Sequence, residues 1–315
     1  MRSKFGRIGV LMGGPSSERE VSLKSGEAVY QALKGAGLDV IALDIRNNNS
    51  LEEIKQAEIS CAFIALHGKL GEDGTIQAQL ESLDIPYTGS RATASRLCLD
   101  KVASKRIFKQ HNIAAPEHNI LERASWKKHL KELNLQFPVV VKPSSQGSSI
   151  GITFVDKAPD LEGALDEAFN YDDVVIVERY IKGREITVGI LEDKALPVVE
   201  IVPKMKFFDF QAKYTKGASS YIVPAKLPQG CYKEAQKTAL LAHQALGCRT
   251  FSRIDMILEG ERPFVLEVNT IPGFTSSSLL PMAALAGGIS FRELCLKIIQ
   301  STIIEDRERC PITND

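Results

Sequence analysis

Residues 253–278 read RIDMILEGERPFVLEVNTIPGFTSSS. Apolar and polar side chains alternate through 253–258 and again through 264–269, the period of two that marks half-buried strands. Gly260 and Pro263 punctuate the stretch between them, which predicts a hairpin with a five-residue turn, Glu259 to Pro263. In that register Asp255 lies opposite Glu267, Arg253 lies opposite Asn269, and all four side chains share one face. Directly opposed carboxylates repel each other. A divalent cation removes that objection, since two carboxylates and an amide offer the oxygen shell that Mg2+ prefers and leave sites for water and phosphate. The solvated face of an ordinary hairpin accounts for the same pattern.

Beyond Asn269, Pro272 and Gly273 break the strand, and Thr275 to Ser278 supply N-cap residues for an apolar run that begins at Leu279. A helix N-terminus therefore opens beside the carboxylate face. Its free N–H groups and the positive end of its dipole suit a carboxylate or a phosphate. A metal face, an arginine and an anion hole thus converge in one short stretch.

Working outward, 315 residues are long for one core and imply two or three domains. A formal net charge of +0 with 25% charged residues gives no bulk attraction to a polyanion, so nucleic acid is not expected as a partner. The opening MRSKFGRIGVLMGG has an apolar run too short for a signal segment or a membrane span, so a cytoplasmic protein without a membrane partner is expected. Cysteines 61, 98, 231, 248, 295 and 310 form no C-x-x-C pair, which fits reduced thiols rather than a disulfide frame or a zinc site.

In the first hundred residues a strand is expected over 7–12, a turn at Gly13-Gly14-Pro15, and a helix capped by Ser16 or Ser17 and running to about Gly35. Further strands are expected over 38–43 and 61–66. Such alternation describes an open, mostly parallel α/β sheet, whose ligands sit beyond the carboxyl ends of its strands. Those ends carry GGPSSE at 13–18 and HGKLGEDG at 67–74, which makes Glu18 and His67 candidate pocket residues. The plainer alternatives are a dipole partner for Glu18 and a hydrogen-bonded structural histidine for His67. A dinucleotide site with Asp44 as its ribose acid is disfavoured, because the first turn lacks the third spaced glycine.

From Cys98 the chain becomes a basic amphipathic helix, followed by a short strand after Pro116 and a helix from about Ser125. FPVVVKPSSQGSSIGITFV at 137–155 then reads as two strands joined by a Ser/Gly loop, Pro143 to Ile150. Such a loop can bring several N–H groups to phosphate oxygens, and Lys142 adds a point charge. It is not a Walker motif, since the lysine precedes the loop; a flexible hairpin turn is the alternative. A strand over 174–177 runs into Glu178 and Arg179, where a carboxylate and nearby backbone could hold an adenine and its ribose. Strands over 185–191 and 196–201 lead to residues 203–224, which show no periodicity but several aromatics, and are expected to form a lid. Helices over 232–246 and 291–304 complete the chain, the last of them expected to serve packing.

Taken together these motifs resemble the D-alanine–D-alanine ligases of the ATP-grasp superfamily. The resemblance rests on GGxSxEREVS at 13–22, ALHGxxGEDG at 65–74, VKPSxxGSSxG at 141–151, AKY at 212–214, and RID with EVNTxPGxTxxS within 253–278. It covers nearly the whole chain. The fold it implies is α/β, a three-domain ATP-grasp fold: an N-terminal open parallel sheet domain (1–97), a central ATP-grasp domain (98–182) and a C-terminal catalytic domain (183–315) with the lid 203–224.

The resemblance also implies roles. Asp255, Glu267 and Asn269 would hold two Mg2+ (or Mn2+) ions. Lys101, Lys142, Ser148 and Ser149 would contact ATP phosphates, and Glu178, Arg179, Ile181, Glu185 and Phe208 would surround adenine and ribose. Glu18 would bind the first D-alanine's ammonium, with His67 near its carboxylate. Arg253 and the backbone of Gly273 would form the oxyanion hole, and Ser278 with Leu279 would take the second D-alanine's carboxylate. Lys213 would neutralise the transferred phosphate, while Tyr214, Ser148 and Glu18 would lock the lid.

The implied activity is ATP-dependent joining of two D-alanines through an acylphosphate, for peptidoglycan precursors, by a homodimer. Arg179 stands where lysine is frequent, and Phe208 and Phe210 where tyrosine is common. Tyr214 points to an amine acceptor, because relatives that make a D-lactate ester tend to carry phenylalanine there. The alternatives are a ligase with D-serine or D-lactate as acceptor, a non-catalytic nucleotide or amino-acid sensor on the same fold, and a nicotinamide-dependent oxidoreductase.

Overall fold

The computed structural model describes residues 5–46, 50–130, 133–203 and 219–309. Strands β1 (Ile8–Gly13), β2 (Val40–Ile45) and β3 (Cys61–Ile64) run parallel in the order β2-β1-β3. Helix α1 (Arg19–Gly35) returns the chain from β1 to β2, and α2 (Ser50–Gln56) returns it from β2 to β3. Helices α3 (Thr75–Ser82) and α4 (Ala92–Leu99) follow. Every residue of β1 is buried, as suits the central strand of a sheet covered on both faces.

The expected serine cap of α1 is not formed. Glu18 occupies the N-cap position, and Ser16 Oγ instead donates to the His67 carbonyl at 2.7 Å and accepts from the Glu18 N–H at 3.2 Å. That serine ties the two strand-end loops together. The basic run from Cys98 is two helices rather than one. Asp100 ends α4 and caps α5 (Lys101–Gln110), its Oδ1 accepting from the N–H groups of Val102 and Ala103 at 2.9 and 3.1 Å. Lys101 is thereby the first residue of a helix.

A four-stranded antiparallel sheet follows, built from β4 (His118–Glu122), β5 (Val139–Pro143), β6 (Thr153–Val155) and β7 (Val174–Arg179) in the order β4-β7-β5-β6. Helices α6 (Trp126–Leu130) and α7 (Leu161–Phe169) cover it, and α7 buries Leu161, Ala164, Leu165 and Ala168, one face at helical spacing. β5 and β6 pair antiparallel, so the Ser/Gly loop does join two strands.

The third sheet contains β8 (Arg184–Leu191), β9 (Lys194–Ala195), β10 (Val199–Pro203), β11 (Ser219–Ile222), β12 (Phe251–Glu259) and β13 (Arg262–Asn269). Its order is β11-β10-β8-β12-β13, with β9 on β8. The stretch 203–224, expected as a loop throughout, contains β11, which pairs antiparallel with β10. Helix α8 (Gln229–Ala245) packs on this sheet, and α9 (Leu279–Ala286) and α10 (Phe291–Arg309) end the chain. These last two helices do not close a separate core. Leu280 and Ala283 of α9 and Leu294 and Ile298 of α10 pack with Ile8 and Val10 of β1, and Phe274 meets both Phe63 and Phe251 with ring centroids 5.5 Å apart. The first and third sheets therefore share one apolar core.

Candidate active site

The β12–β13 hairpin brings together the four residues expected of it. Arg253 pairs with Asn269 and Asp255 with Glu267. The turn is tighter than five residues: Glu259 pairs with Arg262, leaving Gly260 (φ +63°) and Glu261 between them. A bulge between Asp255 and Met256 takes up the difference, with Leu266 as the extra residue opposite, so the register at the acidic end is the expected one.

Asp255 is held from three sides. Arg253 donates Nε to Oδ1 at 2.9 Å and Nη2 to Oδ2 at 2.7 Å, Thr187 donates to Oδ1 at 2.6 Å, and Asn269 Nδ2 donates to Oδ2 at 3.0 Å. Burial acts to lower the Arg253 pKa, but Asp255 outweighs it and raises it above the ordinary value, so the guanidinium stays charged. Nε and Nη2 are the nitrogens that Asp255 engages. Glu267, opposite Asp255, lies 3.6 Å from Lys101 Nζ.

Lys101 leads from the hairpin to the Ser/Gly loop, where its Nζ donates to the Gln146 carbonyl at 2.6 Å. Within that loop Ser148 and Ser149 both adopt left-handed backbone, φ +48° and +59°. Two consecutive non-glycine residues in that region are costly to hold and concentrate where a backbone is shaped for a ligand. Ser148 Oγ donates to Glu18 Oε1, which joins the loop to the edge of the first sheet. A single cleft is lined by Glu72, Lys101, Gly147, Glu267 and Asn269.

On the first sheet's edge the glycines are sterically required. A Cβ on Gly68 (φ +66°) would lie 2.7 Å from Glu18 Oε2, and one on Gly13 (φ +88°) would lie 2.3 Å from Asp44 Oδ1. Burial pushes the Glu18 carboxyl upward and Glu72 adds to it, with Ser148 and His67 opposing. His67 is 4% exposed; Nδ1 lies 3.1 Å from the Ile271 carbonyl and Nε2 lies 3.1 Å from Ser25 Oγ, which also accepts from the Phe274 N–H. Glu72 Oε1 lies 3.7 Å from Nδ1. Asp44 is engaged by Arg19 at 2.7 Å and Arg46 at 3.3 Å, and the Arg19 hydrogen bond draws its pKa down, so it is no free ribose acid.

Glu178 lies on β7 beside Val140 of β5, 2% exposed, with Lys142 Nζ 2.6 Å from Oε2 and Lys105 Nζ 2.8 Å from Oε1. The second contact is an ion pair by distance without an aligned hydrogen bond. Burial pushes Glu178 up, yet the two ammoniums outweigh it and hold it at about 2. Lys105 was not foreseen from the chain, although K-x-x-x-K at 101–105 would place both lysines on one helix face. Thr187 was missed as well. Arg179 reaches away, forming a two-pronged pair with Glu259 at 2.7 and 3.2 Å. Ile181 is buried, and Glu185 is half-buried on β8 opposite Ile257 of β12.

Ser278 is the N-cap residue of α9, but its hydroxyl does not cap the helix; it accepts from the Thr275 N–H at 3.0 Å and meets Thr275 Oγ1 at 2.9 Å. The N-terminus at Leu279 is left without a side-chain cap. Gly273 lies against this serine, where a Cβ would come within 3.0 Å of Ser278 Oγ. Lys213, Tyr214 and Phe208 lie outside the described residues.

Comparison with known proteins shows the family of the chain. Family models described as "D-ala D-ala ligase N-terminus" and "D-ala D-ala ligase C-terminus" match residues 7–56 and 45–90, and residues 107–300. The chain is 46% identical over 303 residues to the D-alanine--D-alanine ligase of Geotalea uraniireducens, covering 96% of this chain and 97% of that one. It is similar to the crystal structure of the D-alanine--D-alanine ligase from Bacillus anthracis, with a TM-score of 0.87, 38% identity, and coverage of 96% and 99%. The same enzyme complexed with ATP gives a TM-score of 0.85 at 36% identity, covering 96% of this chain and 99% of that chain.

Proposed function

The chain belongs to the D-alanine–D-alanine ligase family, and we infer from its site how it joins two D-alanines for peptidoglycan precursors while ATP becomes ADP and phosphate. One observation carries that inference: Ser148, on the loop suited to phosphates, donates to Glu18, on the edge suited to an amino acid. Nucleotide and amino acid are thus read as neighbours in one site. The units 1–97, 98–182 and 183–315 each hold one of the three sheets, which supports a three-part chain, with the first boundary falling inside α4 and the outer two units sharing a core.

In the first step the ammonium of one D-alanine pairs with Glu18, beside His67 and Glu72. Its carboxylate oxygen attacks the γ-phosphorus, the bond to the β-γ bridging oxygen breaks, and ADP leaves with the electron pair. Lys101, Lys142 and the backbone of Ser148 and Ser149 hold the polyphosphate, since successive N–H groups in a tight loop form an anion cradle. Glu178, Ile181 and Glu185 line the place of the adenine and ribose. Arg179 offers its backbone there, while its side chain pairs with Glu259 and links the two sheets.

In the second step the free amine of the other D-alanine attacks the acyl carbon. Arg253 and the Gly273 N–H stabilise the tetrahedral oxyanion, an effect of about 3 to 4 kcal/mol per donor in other acyl-transfer sites. The carbon–oxygen bond then breaks, and phosphate departs with one oxygen of the original carboxylate. The acceptor's own carboxylate rests on the N-terminus of α9 at Ser278 and Leu279, where no side chain competes.

Asp255, Glu267 and Asn269 would hold two Mg2+ or Mn2+ ions, whose chemistry is to neutralise phosphate oxygens during transfer. The donor set fits. Turning over the Asn269 amide places its oxygen where Nδ2 now lies, 3.0 Å from Asp255 Oδ2. That would leave oxygens of Asp255 and Asn269 side by side, where a cation could be held between them. A homodimer in the cytoplasm completes the proposal by family likeness; among the described residues no single helix is long and apolar enough to cross a membrane.

The acylphosphate route is tested with D-alanine carrying 18O in its carboxylate. One labelled oxygen should appear in phosphate for each dipeptide formed. Unlabelled phosphate would exclude the route.

A further inference from the structure

The lysine that the site description leaves without a role is Lys105. It lies one helical turn beyond Lys101 on α5, within that helix's buried face. Its side chain is 1% exposed and that of Glu178 is 2% exposed, so neither is solvated by bulk water. Glu178 carries one lysine on each oxygen, Lys105 on Oε1 and Lys142 on Oε2. Lys142 alone would neutralise the carboxylate. A second buried ammonium is then one positive charge too many, and desolvating it costs several kcal/mol unless something compensates.

Among the described residues no other carboxylate is paired with Lys105. Lys101, which also acts on Lys105, faces Glu267, and His118, whose strand neighbour is Glu178, is a neutral or cationic side chain whose charging burial and Lys105 disfavour, so neither offsets the extra charge. Burial, together with Lys142 and Lys101, lowers Lys105, while Glu178 opposes them. The two partners respond differently because one carboxylate is shared by two cations: Glu178 gains from both lysines, whereas each lysine also feels the other. Stability alone does not explain this arrangement, since a neutral residue in place of Lys105 would leave a balanced pair.

We propose that Lys105 is a positioning residue for the nucleotide. It pins Oε1 of the carboxylate that aims Lys142, and it leaves the buried cluster with an excess positive charge that a polyphosphate neutralises. Lys105 touches no substrate in this scheme; it acts through Glu178 and Lys142. The inference rests on the ligase reading of the same site, and it makes the apo cluster a charged seat that is completed only by ATP.

The test compares wild type with Lys105→Met, Lys105→Gln and Lys105→Arg by the rise in melting temperature on adding Mg-ATP, and by separate KM values for ATP and D-alanine. Lys105→Met should raise the ATP KM about tenfold or more and shrink the nucleotide-induced shift, with the D-alanine KM within about twofold. Lys105→Arg should restore most of both. Lys105→Gln removes the charge but keeps a polar side chain, and it serves if Lys105→Met does not fold; it should behave like Lys105→Met. A lower melting temperature with an unchanged Mg-ATP shift and an unchanged ATP KM would overturn the proposal and leave Lys105 a packing residue. Absence of any Mg-ATP shift in wild type would instead overturn the ligase reading beneath it.

Discussion

Ser148 and Glu18, 130 residues apart in the chain, are joined by a hydrogen bond from hydroxyl to carboxylate. The bond crosses from the loop of the four-stranded sheet to the edge of the parallel sheet. Ser148 pays for this contact with left-handed backbone, and Glu18 with a carboxyl that burial and Glu72 raise. Removing the hydroxyl should therefore loosen the amino-acid end of the site. Ser148→Ala is expected to raise the KM for the first D-alanine about tenfold, the worth of a hydrogen bond to a charged group. Steady-state kinetics in both D-alanine phases measures it, and an unchanged KM would remove the contact from the binding account.

Glu267→Gln should keep the fold, because Glu267 is partly solvated and only 3.6 Å from one lysine. Turnover should fall by more than about 100-fold, the upper range for losing a residue that merely orients a metal ligand. Circular dichroism and a Mg2+ titration of activity check both halves. Near-normal turnover at limiting Mg2+ would refute the metal assignment.

Arg253 is predicted to act on rate and on stability at once. Arg253→Met removes the oxyanion donor and should lower kcat by on the order of 100-fold or more. It also deprives Asp255 of its two-pronged partner, so the melting temperature should fall with it. Single-turnover acyl transfer and calorimetry separate the two effects. A variant that loses stability but keeps kcat would move Arg253 out of the chemistry.

His243 sets a pH dependence of stability away from the site. It is 1% exposed on α8, with Nδ1 2.7 Å from Ser252 Oγ, and burial pushes its pKa down to about 4 against a weaker pull from Asp193. The unfolded chain binds this proton near pH 6.5, before the folded one does. The contribution is therefore complete above about pH 6.5 and is lost as pH falls toward about 4. Thermal melts across that window should be less acid-sensitive in His243→Gln than in wild type; equal sensitivity would contradict the assignment.

What could be read from the chain follows from the range of the interactions involved. Arg253, Asp255, Glu267 and Asn269 share a face because strand periodicity ties residues two apart, and only the turn was misjudged, since a bulge leaves no mark in the alternation. The Lys142 loop was legible from its glycines and serines. The Glu178 cluster was not, because its three members come from α5, β5 and β7 and meet only when helix and sheet pack. Asp44 illustrates the converse: its place at a strand end suggested a ribose ligand, while Arg19 on the next helix had already engaged it. The serine near the start of α1 failed as a cap for a similar reason, since the His67 carbonyl, 51 residues on, took its hydroxyl.

The most direct measurement is phosphate release from Mg-ATP with D-alanine, with L-alanine and with no amino acid, followed by mass spectrometry of the products. Release that requires D-alanine, accompanied by a dialanine mass in equal amount, is the predicted result. ATP binding without D-alanine-dependent release, or release without dialanine, would contradict the account.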